Sequence, residues 1–243
     1  MLFPATHGPL GIASRHGCHR FVSSTLLLDH YRNNIESSDI LTRLNLEPRR
    51  YFIVSLHREE NVDNETRLKN LVEALNSLAA KYDLPVIVST HPRTKKRLDL
   101  LSNYELESRV QWMSPFGFHD YNKLQMHAFC SISDSGTIVE ESAILGFPAI
   151  TPRDAIERPE GLDAGCIFMT GLNAETILDC VHAATQLFEE RAKQGRMQPA
   201  PTDYSINNTS ERVVSLILGT AQLSNAWDGI RRNKYERIIS NTS

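Results

Sequence analysis

Cys130-Ser131-Ile132-Ser133-Asp134-Ser135-Gly136-Thr137-Ile138-Val139-Glu140-Glu141-Ser142-Ala143-Ile144-Leu145-Gly146 is the stretch that decides the fold of this chain. Its first four residues read as a short buried strand. Thr137 to Leu145 reads as a helix, and Gly146 ends it. Between them lies a polar turn with one glycine. Working outward, the same alternation repeats. Tyr51 to Leu56 reads as a strand, followed by Leu68, Leu71, Val72, Leu75, Leu78, Ala79 and Tyr82 at helical spacing, with Asp63 or Asn64 as the cap. Val86 to Ser89 and Val110 to Met113 are further strands, separated by a short basic helix over Lys95 to Leu101. Asp120 to Phe129 reads as helix, Ala149 to Thr151 and Cys166 to Met169 as strands, and Ala174 to Arg191 as a long helix. Gly195 to Asp203 is a polar linker, Val213 to Leu218 lies in an apolar helix, and Ala226 to Ile239 is a candidate terminal helix. Strict alternation predicts an α/β fold: a Rossmann-like parallel sheet with helices on both faces. Such sheets bind ligands beyond the carboxyl ends of their strands.

The composition narrows the function classes. Of 243 residues, 41% are hydrophobic and 23% charged, ordinary for a globular domain. A formal net charge of -3 gives no electrostatic reason to expect nucleic acid or an anionic membrane as partner. No apolar run approaches the ~20 residues of a membrane span, and no secretory pattern opens the chain. The four cysteines, Cys18, Cys130, Cys166 and Cys180, form no C-x-x-C pair, so neither a zinc site nor a disulfide framework is indicated. The expectation is a cytoplasmic enzyme or binding domain. Residues 1 to about 25 contain Pro4, Gly8, Pro9, Gly11 and Gly17 and lack periodicity, so an irregular or truncated start is expected.

Four polar constellations follow strands. Asp134-Ser135-Gly136-Thr137 lies between a strand and a helix, where free N–H groups and the positive end of the helix dipole suit a phosphate. Glu141 shares a helix face with Thr137 and could accept both hydroxyls of a ribose. Capping by Ser135, with Glu140 and Glu141 favouring the first turn, explains the same residues equally well. His57-Arg58-Glu59-Glu60-Asn61 leaves its strand without a turn residue, and His57 and Arg58 can both meet an anion; a charged loop is the plain alternative. His91-Pro92-Arg93 reads first as a helix start with solvated basic residues. Arg153 to Gly161 is a dense charged loop in which Arg158, beside Pro159, is a well-placed cation, or one partner in a surface ion pair. Neither G-x-G-x-x-G nor G-x-x-x-x-G-K-[ST] follows a strand, so neither an NAD site nor a P-loop is supported, and no cofactor or metal is expected.

In order and at similar spacing, Ser55 to Asp63 (SLHREENVD), Ser89 to Arg93 (STHPR), Ser133 to Ser142 (SDSGTIVEES) and Arg153 to Gly161 (RDAIERPEG) resemble the non-hydrolysing UDP-N-acetylglucosamine 2-epimerases. The likeness runs from about Asp29 to about Leu218. Within the family it extends to the branch that acts in the UDP-N-acetylfucosamine pathway. The resemblance implies the C-terminal, UDP-binding domain of a GT-B fold. It divides the chain into an irregular remnant over 1–28, a UDP-binding domain over 29–221 and a tail helix over 222–243. It implies that Tyr121 lies where backbone groups meet uracil and that Glu141 binds the ribose. Ser135, Gly136 and Thr137 match the diphosphate turn, although many relatives carry a second glycine where this chain has Thr137. His57 matches a histidine near the diphosphate and reaction centre, with Arg58 beside it, and Arg158 matches an arginine facing the diphosphate-sugar. The implied partner is a UDP-sugar, and the implied assembly a homodimer serving polysaccharide biosynthesis. The implied chemistry is loss of UDP as the C2 proton leaves, then re-addition with inversion at C2. The family's catalytic carboxylates lie in an N-terminal domain, and no segment here matches it. A UDP-sugar-binding module without catalysis and a GT-B glycosyltransferase domain are the competing readings. The HREEN and ERPEG motifs favour the epimerase lineage.

Overall fold

The computed structural model describes residues 27–98, 107–206, 208–221 and 223. The irregular start, the tail helix, Cys18 and the end of the basic helix therefore lie wholly or largely outside the described residues. The chain divides into two units, one spanning Ser24–Ser205 and one that includes Ile206–Ser243. The second contains helix α10 (Thr209–Thr220), which takes in the expected apolar segment.

The first unit is built on six strands: β1 (Phe52–Ser55), β2 (Val86–Ser89), β3 (Val110–Met113), β4 (Cys130–Ser133), β5 (Ala149–Thr151) and β6 (Phe168–Met169). All are parallel, in the order β3-β2-β1-β4-β5-β6. That is the doubly wound order, in which the chain winds outward in both directions from β1 and β4. Alternation along β1 sorts the core. Phe52 and Val54 pack with Leu68, Leu71, Leu75 and Leu78 of helix α4 (Glu65–Tyr82) and Ile177 and Val181 of helix α9 (Ala174–Lys193). Tyr51 and Ile53 face Ile40 of helix α2 (Ile40–Arg43), Leu124 of helix α6 (Phe118–His127) and Ala128, the residue that ends α6. Both faces of β1 are buried, which is why it reads as a continuous apolar run. Each large side chain so buried is worth about 1.5–3 kcal/mol.

The helix ends follow local chemistry. Asn64 caps α4 by accepting the Arg67 N–H at 3.1 Å, and Asn173 caps α9 by accepting the Thr176 N–H at 2.9 Å. Helix α7 (Ile138–Leu145) ends at Gly146, whose φ of 72° is left-handed, as its place in the sequence predicts. The basic helix α5 (Pro92–Leu98) starts at Pro92 rather than Lys95, because a proline loses nothing in a first turn. Strand β6 begins at Phe168, since Cys166 is held back by its N–H to the Gly161 carbonyl. Three further short helices join these: α1 (Arg32–Glu36), α3 (Glu59–Val62) and α8 (Pro159–Asp163). The sequence reading leaves α8 as loop. Pro159 starts it, and Gly161 lets it lie against α7: a Cβ there would come 2.1 Å from Val139 Cγ1.

Candidate functional site

At the switch point β1 and β4 lie side by side, with Ser55 opposite Ser133. In doubly wound sheets the connections leaving such a point form the ligand crevice. Asp134 is buried between the two exits. The residue is 0% exposed, and its carboxylate accepts the His57 N–H at 3.1 Å, the Arg58 N–H at 3.0 Å and the Asn61 Nδ2–H at 3.0 Å. The Asp134 carbonyl in turn accepts from Arg58 Nε at 3.0 Å. His57 Nδ1 lies 3.3 Å from Asp134 Oδ1, while the rest of the ring faces solvent with the side chain 52% exposed. Asn61 passes the connection on: its carbonyl accepts from Arg67, and Arg67 Nη1 donates to Asp154 at 2.7 Å. One chain of polar contacts thus ties the exits of β1, β4 and β5 together.

The Ser135-Gly136-Thr137 turn stands at the mouth of α7. Its hydroxyls are organised among themselves. Ser135 Oγ and Thr137 Oγ1 are 2.9 Å apart, Ser135 Oγ accepts the Thr137 N–H at 3.3 Å, and the Ser135 N–H donates to Ser133 Oγ at 3.1 Å. Thr137, not Ser135, is the N-cap residue. Arg158 arrives from the β5 side. Its Nη1 donates to the Gly136 carbonyl, and its Nε donates at 2.6 Å to Glu140, a carboxylate only 2% exposed. A Cβ on Gly136 would come 2.9 Å from Arg158 Nη1, so glycine leaves room for the guanidinium. Glu157 bridges Arg58 Nη2 at 3.1 Å and Arg153 Nη2 at 3.3 Å. The hydrogen bond from Arg58, then that from Arg153, holds the Glu157 carboxyl below the usual carboxylate range.

Glu141 lies one turn into α7, its N–H bonded to the Thr137 carbonyl at 2.9 Å. Its carboxylate is partly buried and accepts from Gln125 Nε2 at 2.9 Å, with Thr137 a second donor. Burial pushes the Glu141 carboxyl above its ordinary value, and the two donors oppose the shift. Tyr121 sits one turn before Gln125 on α6. Its backbone N–H is taken by the Gly117 carbonyl; its phenol lies beside Ser55, Ser133 and Glu141, and burial raises its pKa.

The structure therefore gathers His57, Arg58, Ser135, Gly136, Thr137, Glu141, Arg158 and the Tyr121 side chain around one crevice. His91 is exposed at the neighbouring β2 end. Sequence reasoning named Asp134, Asn61 and Glu140 within their motifs without giving them these roles, and it missed Gln125. Asp134 had a signal, being the last residue before the turn. Gln125 had none. Among the described residues no group of three or more His, Cys, Asp or Glu could hold a metal, and no helix is long and apolar enough to cross a membrane. A surface cavity lined by Leu187, Arg191, Met197 and Pro199 lies at the far end of α9, away from the crevice.

The family model for UDP-N-acetylglucosamine 2-epimerase matches residues 22–218. The chain belongs to this epimerase family. It is 40% identical over 134 residues to a UDP-N-acetylglucosamine 2-epimerase of Methanocaldococcus jannaschii, covering 54% of this chain and 37% of that one. Among solved structures, the Rickettsia bellii UDP-N-acetylglucosamine 2-epimerase superposes with a TM-score of 0.70 at 39% identity, over 82% of this chain and 52% of that one. The Methanocaldococcus jannaschii enzyme in complex with UDP-GlcNAc and UDP matches with a TM-score of 0.64 at 32% identity, over 82% of this chain and 53% of that one. The chain thus spans about half the length of the family structures it matches.

Proposed function

We propose that this chain carries the UDP-binding, leaving-group side of a UDP-N-acetylglucosamine 2-epimerase, which interconverts UDP-GlcNAc and UDP-ManNAc by elimination and re-addition of UDP. The observation that carries the proposal is the joint placement of the Ser135-Gly136-Thr137 turn and Glu141 on one helix at the switch point, with Arg158 drawn to the Gly136 carbonyl. In this reading Glu141 accepts the ribose hydroxyls, with Tyr121 at the base end. The turn, Arg58 and Arg158 face the diphosphate, and His57 stands near the reacting bond. Cationic and N–H groups there stabilise charge that develops as UDP departs. Removal of the C2 proton needs a base. Three carboxylates at this crevice are already committed: Asp134 to the His57 loop, Glu140 to Arg158, and Glu157 to Arg58 and Arg153. Glu141 is the proposed ribose acceptor. The resemblance puts the family's catalytic carboxylates in an N-terminal domain, and the base is assigned there, facing the crevice from the other side. Family membership supports extending the reading to a cytoplasmic homodimer in polysaccharide biosynthesis; light scattering tests the dimer.

The decisive experiment pairs calorimetric titration with UDP and proton NMR of UDP-GlcNAc in deuterated water. Saturable UDP binding without exchange at C2 is expected from this chain alone. Absence of UDP binding would overturn the site. C2 exchange by the chain alone, abolished by His57→Ala, would show that the proton-transfer groups have been placed wrongly.

A further inference from the structure

Gln125 poses a problem that packing does not solve. It is 0% exposed on α6, among neighbours that fix the helix against β1. An apolar side chain of equal volume would fill the same space without the cost of burying an amide. The amide is not used to satisfy the backbone or to join α6 to the sheet. Its Nε2 donates to Glu141 Oε2 at 2.9 Å, and its Oε1 makes no hydrogen bond among the described residues. The amide's one described partner is therefore the carboxylate on the next helix.

That contact has a geometric consequence. A glutamate on a helix has rotatable bonds enough to sweep its carboxylate over several ångströms. Thr137, the N-cap of Glu141's helix, lies one turn before it, its carbonyl accepting the Glu141 N–H at 2.9 Å. Gln125 restrains it from a second helix and occupies Oε2. A donor from a second helix limits the freedom of the carboxylate, and a pre-aimed acceptor binds a hydroxyl pair with less loss of entropy than a mobile one. Tyr121, one turn away on the same face of α6, brings its buried hydroxyl to the same carboxylate's surroundings.

We propose that Gln125 is a positioning residue that aims Glu141 and so sets the preference of the site for ribose over 2′-deoxyribose. The proposal rests on the reading of Glu141 as the ribose acceptor, and the test separates the two. Dissociation constants for UDP and 2′-deoxy-UDP are measured by calorimetry on the full chain, for the wild type, Glu141→Ala, Gln125→Met and Gln125→His. The ratio of the two constants is internal to each variant, so a fall in the folded fraction cancels from it. Wild type should favour UDP by roughly 10- to 100-fold, the worth of a hydrogen bond to a charged acceptor. Gln125→Met keeps the volume but removes the donor, and should bring the ratio to within about threefold of unity. Gln125→His retains an N–H and should restore part of the preference. Loss of the preference in Glu141→Ala but not in Gln125→Met overturns the role of Gln125 and leaves the ribose site standing. A preference unchanged in Glu141→Ala removes the ribose reading, and the proposal with it. If Gln125→Met binds neither nucleotide while Glu141→Ala still binds UDP, Gln125 serves the fold and the proposal is wrong.

Discussion

Replacing Asp134 with alanine should unpin the β1 connection from β4. The carboxylate is the shared acceptor for three donors, the His57 and Arg58 N–H groups and Asn61 Nδ2. Hydrogen bonds to a charged group are worth about 1.5–3 kcal/mol each. The three donors do not lose equally. His57 is exposed and Arg58 partly so, and water can reach their N–H groups once the carboxylate is gone. Asn61 is 0% exposed, and its amide would be left unsatisfied. Relief of the desolvation that the buried carboxylate itself suffers offsets part of the loss. The net expectation is a destabilisation of about 3–4 kcal/mol. Asp134→Asn keeps an acceptor oxygen but not the charge, and should cost about 1–2 kcal/mol. Urea unfolding followed by circular dichroism measures both, as a lower midpoint at unchanged slope. Hydrogen exchange at His57 and Arg58 should accelerate in the alanine variant before the rest of the sheet is affected. A loss under about 1 kcal/mol for Asp134→Ala, or equal losses for both variants, would refute the argument that a shared charge holds this loop.

Gly136→Ala should displace Arg158, whose Nη1 would meet the new Cβ at 2.9 Å, and weaken UDP binding roughly tenfold while leaving the circular dichroism spectrum intact. Glu157→Gln removes a negative charge from between Arg58 and Arg153, so calorimetry should show UDP binding two- to fivefold tighter, roughly the worth of a partly exposed ion pair; weaker binding would contradict an anion site there. The raised pKa of Glu141 means that its ionised form costs folding free energy at neutral pH. That cost disappears as the pH falls through the raised value toward the ordinary carboxylate range, where the group is protonated in both states. Glu141→Gln should therefore melt higher than wild type at neutral pH, with the difference fading in acid. Wild-type UDP affinity should fall over the same window, because a protonated carboxyl accepts less well from two hydroxyls. Gly161→Ala should destabilise the first unit by about 1–3 kcal/mol, since its Cβ would overlap Val139, and thermal melts check it.

The Asp134 and Gln125 arguments mark where reading the sequence stops. The bounds of β2, β4 and β5 coincide with the apolar runs, because a parallel strand buried on both faces announces itself by composition alone; those of β3, an edge strand with Gln111 exposed, coincide as well. Helix ends at Asn64 and Gly146 were legible because caps are local chemistry. The site turn was legible for the same reason: Ser135, Gly136, Thr137 and Glu141 lie within one strand–helix junction, and the motifs around them point to a nucleotide-sugar family. Arg158 could be named as a candidate cation. Its anchorage could not, since Glu140 and Gly136 lie 18 and 22 residues away.

The amino-acid sequence by itself determined the alternating elements, the Rossmann-like class of fold and the candidate groups of the site. Each of these depends on interactions between residues a few positions apart. Only the tertiary structure decided what holds those groups in place. Asp134 meets His57 across 77 residues, Arg67 meets Asp154 across 87, and Gln125 meets Glu141 from a different helix. The strand order brings such pairs together, and no local periodicity records which strand lies beside which. A buried carboxylate or amide is tolerated only where such a partner arrives, because a polar group removed from water must recover its hydrogen bonds from the protein.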